Sequence, residues 1–371
     1  MRAINGIALG LAAVALVSAL AVGQAMLSVC DYEPPESRLT SLNLQGSFQW
    51  YDGPYADDRT RTISLSAGAD YGLLFSSPSS GHRVDATAEL RGSAAELTFV
   101  VRGDGDLKTF WTNDVFGLGA FGVDASDESL ELDLTAGLGT GRFRDVTPMA
   151  KAVRIQNELL DLGILLAPLE SGSLLALAQI LGDAASTDEE RIVALAERLT
   201  STGLVSNDDL GVRGLLAIEE IIASSEGGRL CGRDVQARIG VAAIVAPEPS
   251  IATTGVLLHN LAFVPDPVSQ LTSRASCKVR LAHLGQLSAE LDVSYSRRLP
   301  DGWTARANYR FTADRGWSEP GKSQFVHDLS ANLTTQLLDA IGVSFSGELR
   351  YESGDEELTT SLTVHFAYDL F

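Results

Sequence analysis

The strongest constraint in this sequence is a two-residue periodicity that recurs in long runs. Near the C-terminus, Leu362, Val364, Phe366, Tyr368 and Leu370 alternate with Ser361, Thr363, His365, Ala367 and Asp369. The same alternation runs through 341–352, 325–337, 303–312 and 287–296. Successive side chains on a β-strand point to opposite faces, so each run carries one apolar face and one polar, often charged face. A soluble sandwich also alternates, but two features separate the cases. These runs last about ten to fourteen residues, against a mode of ~5–6 in soluble sheets and the ~9–11 that a tilted membrane strand needs. In addition, Tyr295, Trp303, Phe311, Phe325, Tyr351 and Tyr368 lie toward the ends of their apolar faces, where interfacial aromatic girdles belong.

The first third repeats the pattern. Alternation reads over 42–50, with its phase broken near Gly46, and then over 63–71 and 84–91. A shorter fourth strand follows at Leu97, Phe99 and Val101, a Gly-rich fifth at 115–121, and a sixth at 130–138. Between 146 and 226 the period changes to about 3.6 residues, the helical repeat. Val153, Leu159, Leu160 and Ile164 recur at that spacing behind Thr147 as cap and Pro148 in the first turn. Further helices read over 173–181, over 188–199 behind Thr187 and an acidic first turn, and over 207–224 behind an Asn or Asp cap. Alternation resumes at 235–243, 256–263 and 275–284.

The expected fold is therefore all-β: a transmembrane antiparallel β-barrel of 14 strands, with 12 as the alternative, interrupted by an α-helical insert. The expected organisation is a signal peptide at 1–25, the first six strands at 26–145, the insert at 146–226 and eight more strands at 227–371. The signal peptide rests on Arg2, the apolar run 7–22 and the small residues Gly23 and Ala25. An even strand count with both termini periplasmic puts the insert, which follows strand six, on the periplasmic side or inside the lumen. A barrel of this width is too wide for side chains alone to fill, which makes the insert a plug candidate.

Chemistry is harder to find. The net charge of −20 argues against a nucleic-acid partner, which needs a basic face. The three cysteines are too far apart for a metal site. Cys231 and Cys277 read as a disulfide or as two thiols, and Leu27-Ser28-Val29-Cys30 resembles a lipoprotein box with an oversized Val29. His327 and Ser330 are three apart on one strand and point to opposite faces, so they form no catalytic pair. Gly137, Gly139 and Gly141 lack a dinucleotide-binding setting and read as a strand bend. No cofactor is implied. The polar faces put Glu290, Asp292, Arg306, Arg310, Asp328, Glu348 and Arg350 in one interior, as a pore lining or a salt-bridged core. Arg142, Arg144 and Asp145 stand at the junction with the insert as candidate anchors.

With its leader, its repeated long strands and a last strand ending in Phe371, the chain resembles the Gram-negative outer-membrane β-barrel class. The resemblance implies outer-membrane lipids around the barrel and recognition by the barrel-assembly machinery. It also implies Leu362, Val364, Phe366, Tyr368 and Phe371 as the assembly signal, although Phe371 is out of phase with Leu370. Three functions fit such a chain: a porin-like channel for small polar solutes, an adaptor whose insert docks a periplasmic partner, or a lipid-modifying enzyme.

Overall fold

Long runs with one apolar and one polar face pair most simply with the next run in sequence, and the chain does this throughout. The computed structural model describes residues 28–55, 58–93, 97–206, 209–224, 228–246, 249–280, 286–299, 302–316, 323–337, 341–353 and 358–368. The first six strands are β1 (Ser37–Tyr55), β2 (Asp58–Ser76), β3 (Ser80–Ser93), β4 (Leu97–Phe110), β5 (Val115–Ser126) and β6 (Leu130–Asp145). Four helices follow: α1 (Thr147–Asp161), α2 (Ser171–Gly182), α3 (Asp188–Thr200) and α4 (Gly211–Ala223). Then come β7 (Leu230–Ala246), β8 (Ser250–Phe263), β9 (Ser269–Arg280), β10 (Gln286–Arg298), β11 (Thr304–Gly316), β12 (Ser323–Leu337), β13 (Ile341–Glu352) and β14 (Leu358–Tyr368). The fourteen strands form one antiparallel sheet whose order is the chain order. Among the described residues β1 pairs only with β2, and β14 only with β13.

Several boundaries depart from the periodicity. There is no phase break at Gly46, which pairs with Ala67 inside a continuous ladder from Ser37 to Tyr55. Strand β4 is not short; it runs on past Val101 to Phe110. Its outward positions there are Gly103 and Gly105, which hide the alternation. Helix α1 is capped by Val146 rather than Thr147, with the Thr147 amide donating to Asp145 Oδ1 at 2.9 Å. Helix α4 begins at Gly211, without a side-chain cap at Leu210. At α3 the expected capping box of Thr187 and Glu190 is present. The signal peptide and Phe371 lie outside the described residues.

The two faces of the sheet have opposite character. Leu42, Leu44, Leu134, Ile239, Ile251, Leu257 and Leu362 point outward and are exposed, Ile251 to 74 % and Leu362 to 83 %. The other face is concave. Arg274 on β9 reaches Asp104 on β4 at 3.3 Å, although five strand spacings separate them, about 24 Å along the sheet. Only a tightly curled sheet brings these side chains together. Trp303, just ahead of β11, and Phe311 within it lie eight residues apart on the chain. That is about 27 Å of strand, which the usual tilt reduces to about the height of an outer-membrane apolar band.

The seam between β6 and β7 depends on glycine. Gly141 and Gly232 hold φ values of +111° and +135°. A Cβ on Gly232 would lie 2.0 Å from the Arg142 carbonyl oxygen, and one on Gly141 would lie 2.0 Å from that of Arg233. Gly232→Ala is expected to destabilise the folded chain by about 2–3 kcal/mol through backbone strain and forced strand separation. Gly119→Ala, where no atom lies within 4 Å of the added methyl, is the neutral control. Urea midpoints of the heat-modifiable folded form would show the difference, and equal midpoints would refute the argument.

The insert forms its own core at one end of the sheet. Met149, Ala152 and Ile155 of α1, Leu177 of α2, Leu195 and Leu199 of α3 and Ile218 of α4 are almost fully buried. Val29 and Tyr32, ahead of β1, and Val264, in the β8–β9 turn, join the same cluster. The helices thus sit as a cap beside the strand ends that carry Val29, Tyr32 and Val264. A disulfide between Cys30 and Cys231 ties the segment before β1 to the start of β7. This corrects the Cys231–Cys277 pairing, because Cys277 is a free thiol. It also leaves no Cys30 thiol for a lipid. The Tyr32 hydroxyl donates to the Ala178 carbonyl at 3.4 Å, and burial, reinforced by the charge of Asp145, raises its pKa.

Candidate functional site

Polar residues at every second position of neighbouring strands must meet across the ladder, and here they form a row. Asp234 on β7 stands opposite Asn260, Asn260 opposite Arg274, and Arg274 opposite Asp292. Asp292 pairs in turn with Arg310, Arg310 with Asp328, and Asp328 with Arg350. Seven successive strands therefore present acid, amide, base, acid, base, acid and base at one level of the concave face. Arg310 Nε lies 2.7 Å from Asp292 Oδ1 and 3.7 Å from Glu290. Arg350 Nε lies 3.8 Å from Asp328 Oδ1.

Five of the expected interior residues, Glu290, Asp292, Arg310, Asp328 and Arg350, are thereby brought together. The other two stand apart from the row. Arg306 faces Ser296 and Asn332 nearer the cap, and Glu348 faces Ser330 and Ser361 and is exposed.

A second cluster was not legible as such in the sequence. Lys108 on β4 forms a short ion pair with Asp234 and lies 3.4 Å from Asp106. Arg238 lies 3.4 Å from Asp106 and donates to Gln236 Oε1 at 2.6 Å, while Gln236 donates to Asp234 at 2.7 Å. These groups are nearly buried, with the Asp234 side chain only 1 % exposed. Farther from the cap, Lys278 bridges Glu131 at 3.2 Å and Asp133 at 2.6 Å, and Arg280 forms a short pair with Glu131. Ion pairs from β4 to β7 and β9, and from β6 to β9, narrow the interior.

At the junction with the cap the expected anchors divide. Asp145 accepts from both the amide and the hydroxyl of Thr147, and its own amide donates to Ser37 Oγ at 2.8 Å. Thr147 Oγ1 also accepts from the Arg229 amide at 2.7 Å, so β1, β6, α1 and the approach to β7 meet at one point. Arg144 pairs with Glu33 at 2.9 Å. Arg142 instead stacks on the Phe110 ring at 3.9 Å and donates to the Pro78 carbonyl.

On the outer face His327 Nδ1 is 2.9 Å from the Tyr309 hydroxyl and packs among Phe311 and Tyr351. Ser330 lies instead on the polar face, in hydrogen-bond range of Asn308. The backbone of the expected assembly signal, as far as Tyr368, forms the edge strand β14.

An antiparallel meander of long strands, apolar outside and charged inside, is the architecture of an outer-membrane β-barrel, and the chain has that fold class. Comparison with known proteins adds little beyond it. No family model matches the chain, and no curated protein matches it. A bacterial polysaccharide outer membrane secretin is similar at 9 % identity over 88 % of this chain and 96 % of its own, with a TM-score of 0.32. The β domain of the Bordetella autotransporter BrkA is similar at 10 % identity over 91 % of this chain and 100 % of its own, with a TM-score of 0.23. The class assignment rests on strand order, strand length and polarity.

Proposed function

We propose that this chain is an exported outer-membrane barrel that passes small polar solutes through its charged interior, with the helical insert as a cap over the periplasmic mouth. One observation carries the reading: at one level of the inward face six of seven successive strands present a charge and the seventh presents Asn260, while cavities of about 500 and 780 Å³ stay open to either side. A closed structural barrel has no use for open polar space flanked by paired charges, whereas a selective pore needs both. The Cys30–Cys231 disulfide supports export, since such bonds persist in oxidising compartments. An even strand number with periplasmic termini puts the cap on the periplasmic side.

Purified, heat-modifiable protein reconstituted into planar bilayers is expected to give stepwise conductance with defined ion selectivity. Correctly folded protein that stays electrically silent would exclude the channel reading.

A further inference from the structure

One step toward the cap from the charge row, the inner face changes character. Asp234, Asn260, Arg274 and Asp292 give way, two residues along their strands, to Gly232, Ala262, Thr272 and Ser294, which stand opposite one another in the same order. Phe143 of β6 stands opposite Gly232 and ends the row. No side chain of this row carries a charge. The roll of the sheet brings Leu39 of β1, its ladder partner Leu74 of β2, and Leu230 of β7 to the same space. Together they enclose a cavity of about 450 Å³. Phe143 and Ala262 are buried, so this stretch of wall is held in place by its packing.

The charged groups that line this cavity are already paired. Arg83 Nε lies 2.5 Å from Asp85, Arg274 lies 3.3 Å from Asp104, and Asp292 lies 2.7 Å from Arg310. The wall therefore offers no surplus charge to an ion. What is unmatched is neutral. Asn260 is 6 % exposed and lines the cavity, and its Oδ1 accepts no hydrogen bond among the described residues. A buried amide oxygen without a donor costs free energy, and a ligand O–H or N–H placed against it removes that cost. An apolar wall with one oriented polar group is the usual make-up of a small-molecule site, and the volume falls in the usual range.

We propose that this cavity binds a small neutral amphiphile, with its apolar body against Leu39, Leu74, Phe143 and Leu230 and its hydroxyl or amide N–H donating to Asn260. The site does not depend on conduction. The test is calorimetric titration of the full chain, folded in zwitterionic detergent, with cyclohexanol, cyclohexane and cyclohexanecarboxylate. Thr272→Phe, which puts a ring into the cavity from β9, supplies the reference that removes partition into micelles. Over that reference cyclohexanol is expected to bind, cyclohexane to bind about fivefold to tenfold more weakly for the one hydrogen bond it lacks, and the carboxylate to give no heat. Asn260→Leu should bring cyclohexanol down to the affinity of cyclohexane. It should leave the urea midpoint of the heat-modifiable form unchanged or higher, since it removes an unpaired buried oxygen. If Thr272→Phe fails to fold, this loss of selectivity decides alone, because partition into micelles is the same for the wild type and Asn260→Leu.

Equal heats from the wild type and folded Thr272→Phe overturn the proposal, as does carboxylate binding as tight as that of the alcohol. An alcohol preference that survives Asn260→Leu overturns it too. So does a lower urea midpoint for Asn260→Leu, which would show the amide oxygen to be satisfied within the fold.

Discussion

Replacing Cys30 and Cys231 together by Ala is expected to cost up to about 5 kcal/mol of stability, the chain-entropy value for a loop of this size. The bond closes a sequence separation of 201 residues that contains β1 to β6 and the whole cap. Without it, the segment before β1 is held by Val29 and Tyr32 in the helical core and by the Glu33–Arg144 pair, whose acid is largely exposed. A surface pair of this kind contributes little. The loss should therefore fall on the junction between cap and sheet, and the cap should become sensitive to protease before the strands do. Urea unfolding of the wild type with and without reductant, beside the double variant, gives the magnitude. Reductant should shift the wild type to the midpoint of the variant and leave the variant unmoved. Peptide mapping without reduction decides the pairing: a Cys231–Cys277 peptide would overturn it, and a midpoint loss worth less than about 1 kcal/mol would reject the entropic account.

The parts of this molecule legible in its sequence are those that local periodicity encodes. Long alternation gave the strand count, the face polarity and the break at the insert. It also gave the row from Asp292 to Arg350, because register between neighbouring strands follows once each strand's apolar face is known. What stayed hidden depends on curvature. Lys108 and Asp234 belong to strands three apart, and no local pattern says how far the sheet rolls. Strand β4 looked short because Gly103 and Gly105 take the outward positions beside Asp104 and Asp106, which removes the apolar half of the signal. The glycine run at 137–141 reads as a bend, but the second positive-φ glycine of the seam, Gly232, which stands opposite Phe143, is found only across it. The pairing of Cys30 with Cys231 rather than Cys277 follows from where the chain enters β1 and β7, which is a tertiary fact. The insert was legible as helices and not as a cap, since amphipathic faces do not name what they pack against.

Lys108→Met is expected to destabilise the fold by about 3–5 kcal/mol, the usual cost of stranding buried charge. Lys108 serves two carboxylates at once, Asp106 and Asp234, and all three side chains are at most 9 % exposed. Arg238 still faces Asp106 in the variant, while Asp234 keeps a hydrogen bond from neutral Gln236 and, among the described residues, no direct ion pair. The penalty should therefore concentrate on Asp234. Met retains the bulk of the lysine stem and can pack on the Phe116 ring, over which the Lys108 ammonium sits at 5.0 Å, so little of the loss comes from a cavity. Adding Asp234→Asn removes the stranded charge and should recover most of the stability, although Asp234→Asn alone is itself destabilising. The cycle of wild type, two single variants and the double variant, read by urea midpoints of the folded band, should give a coupling of about 2 kcal/mol or more. Additive effects, with the double variant as weak as the sum of the singles, would mean that the two residues are not paired and that the sheet does not roll tightly enough to bring β4 against β7. Since the narrowing of the interior depends on that contact, the same four proteins in planar bilayers test the channel at the same point. The double variant, stable and without the Lys108–Asp234 bridge, should conduct more than the wild type.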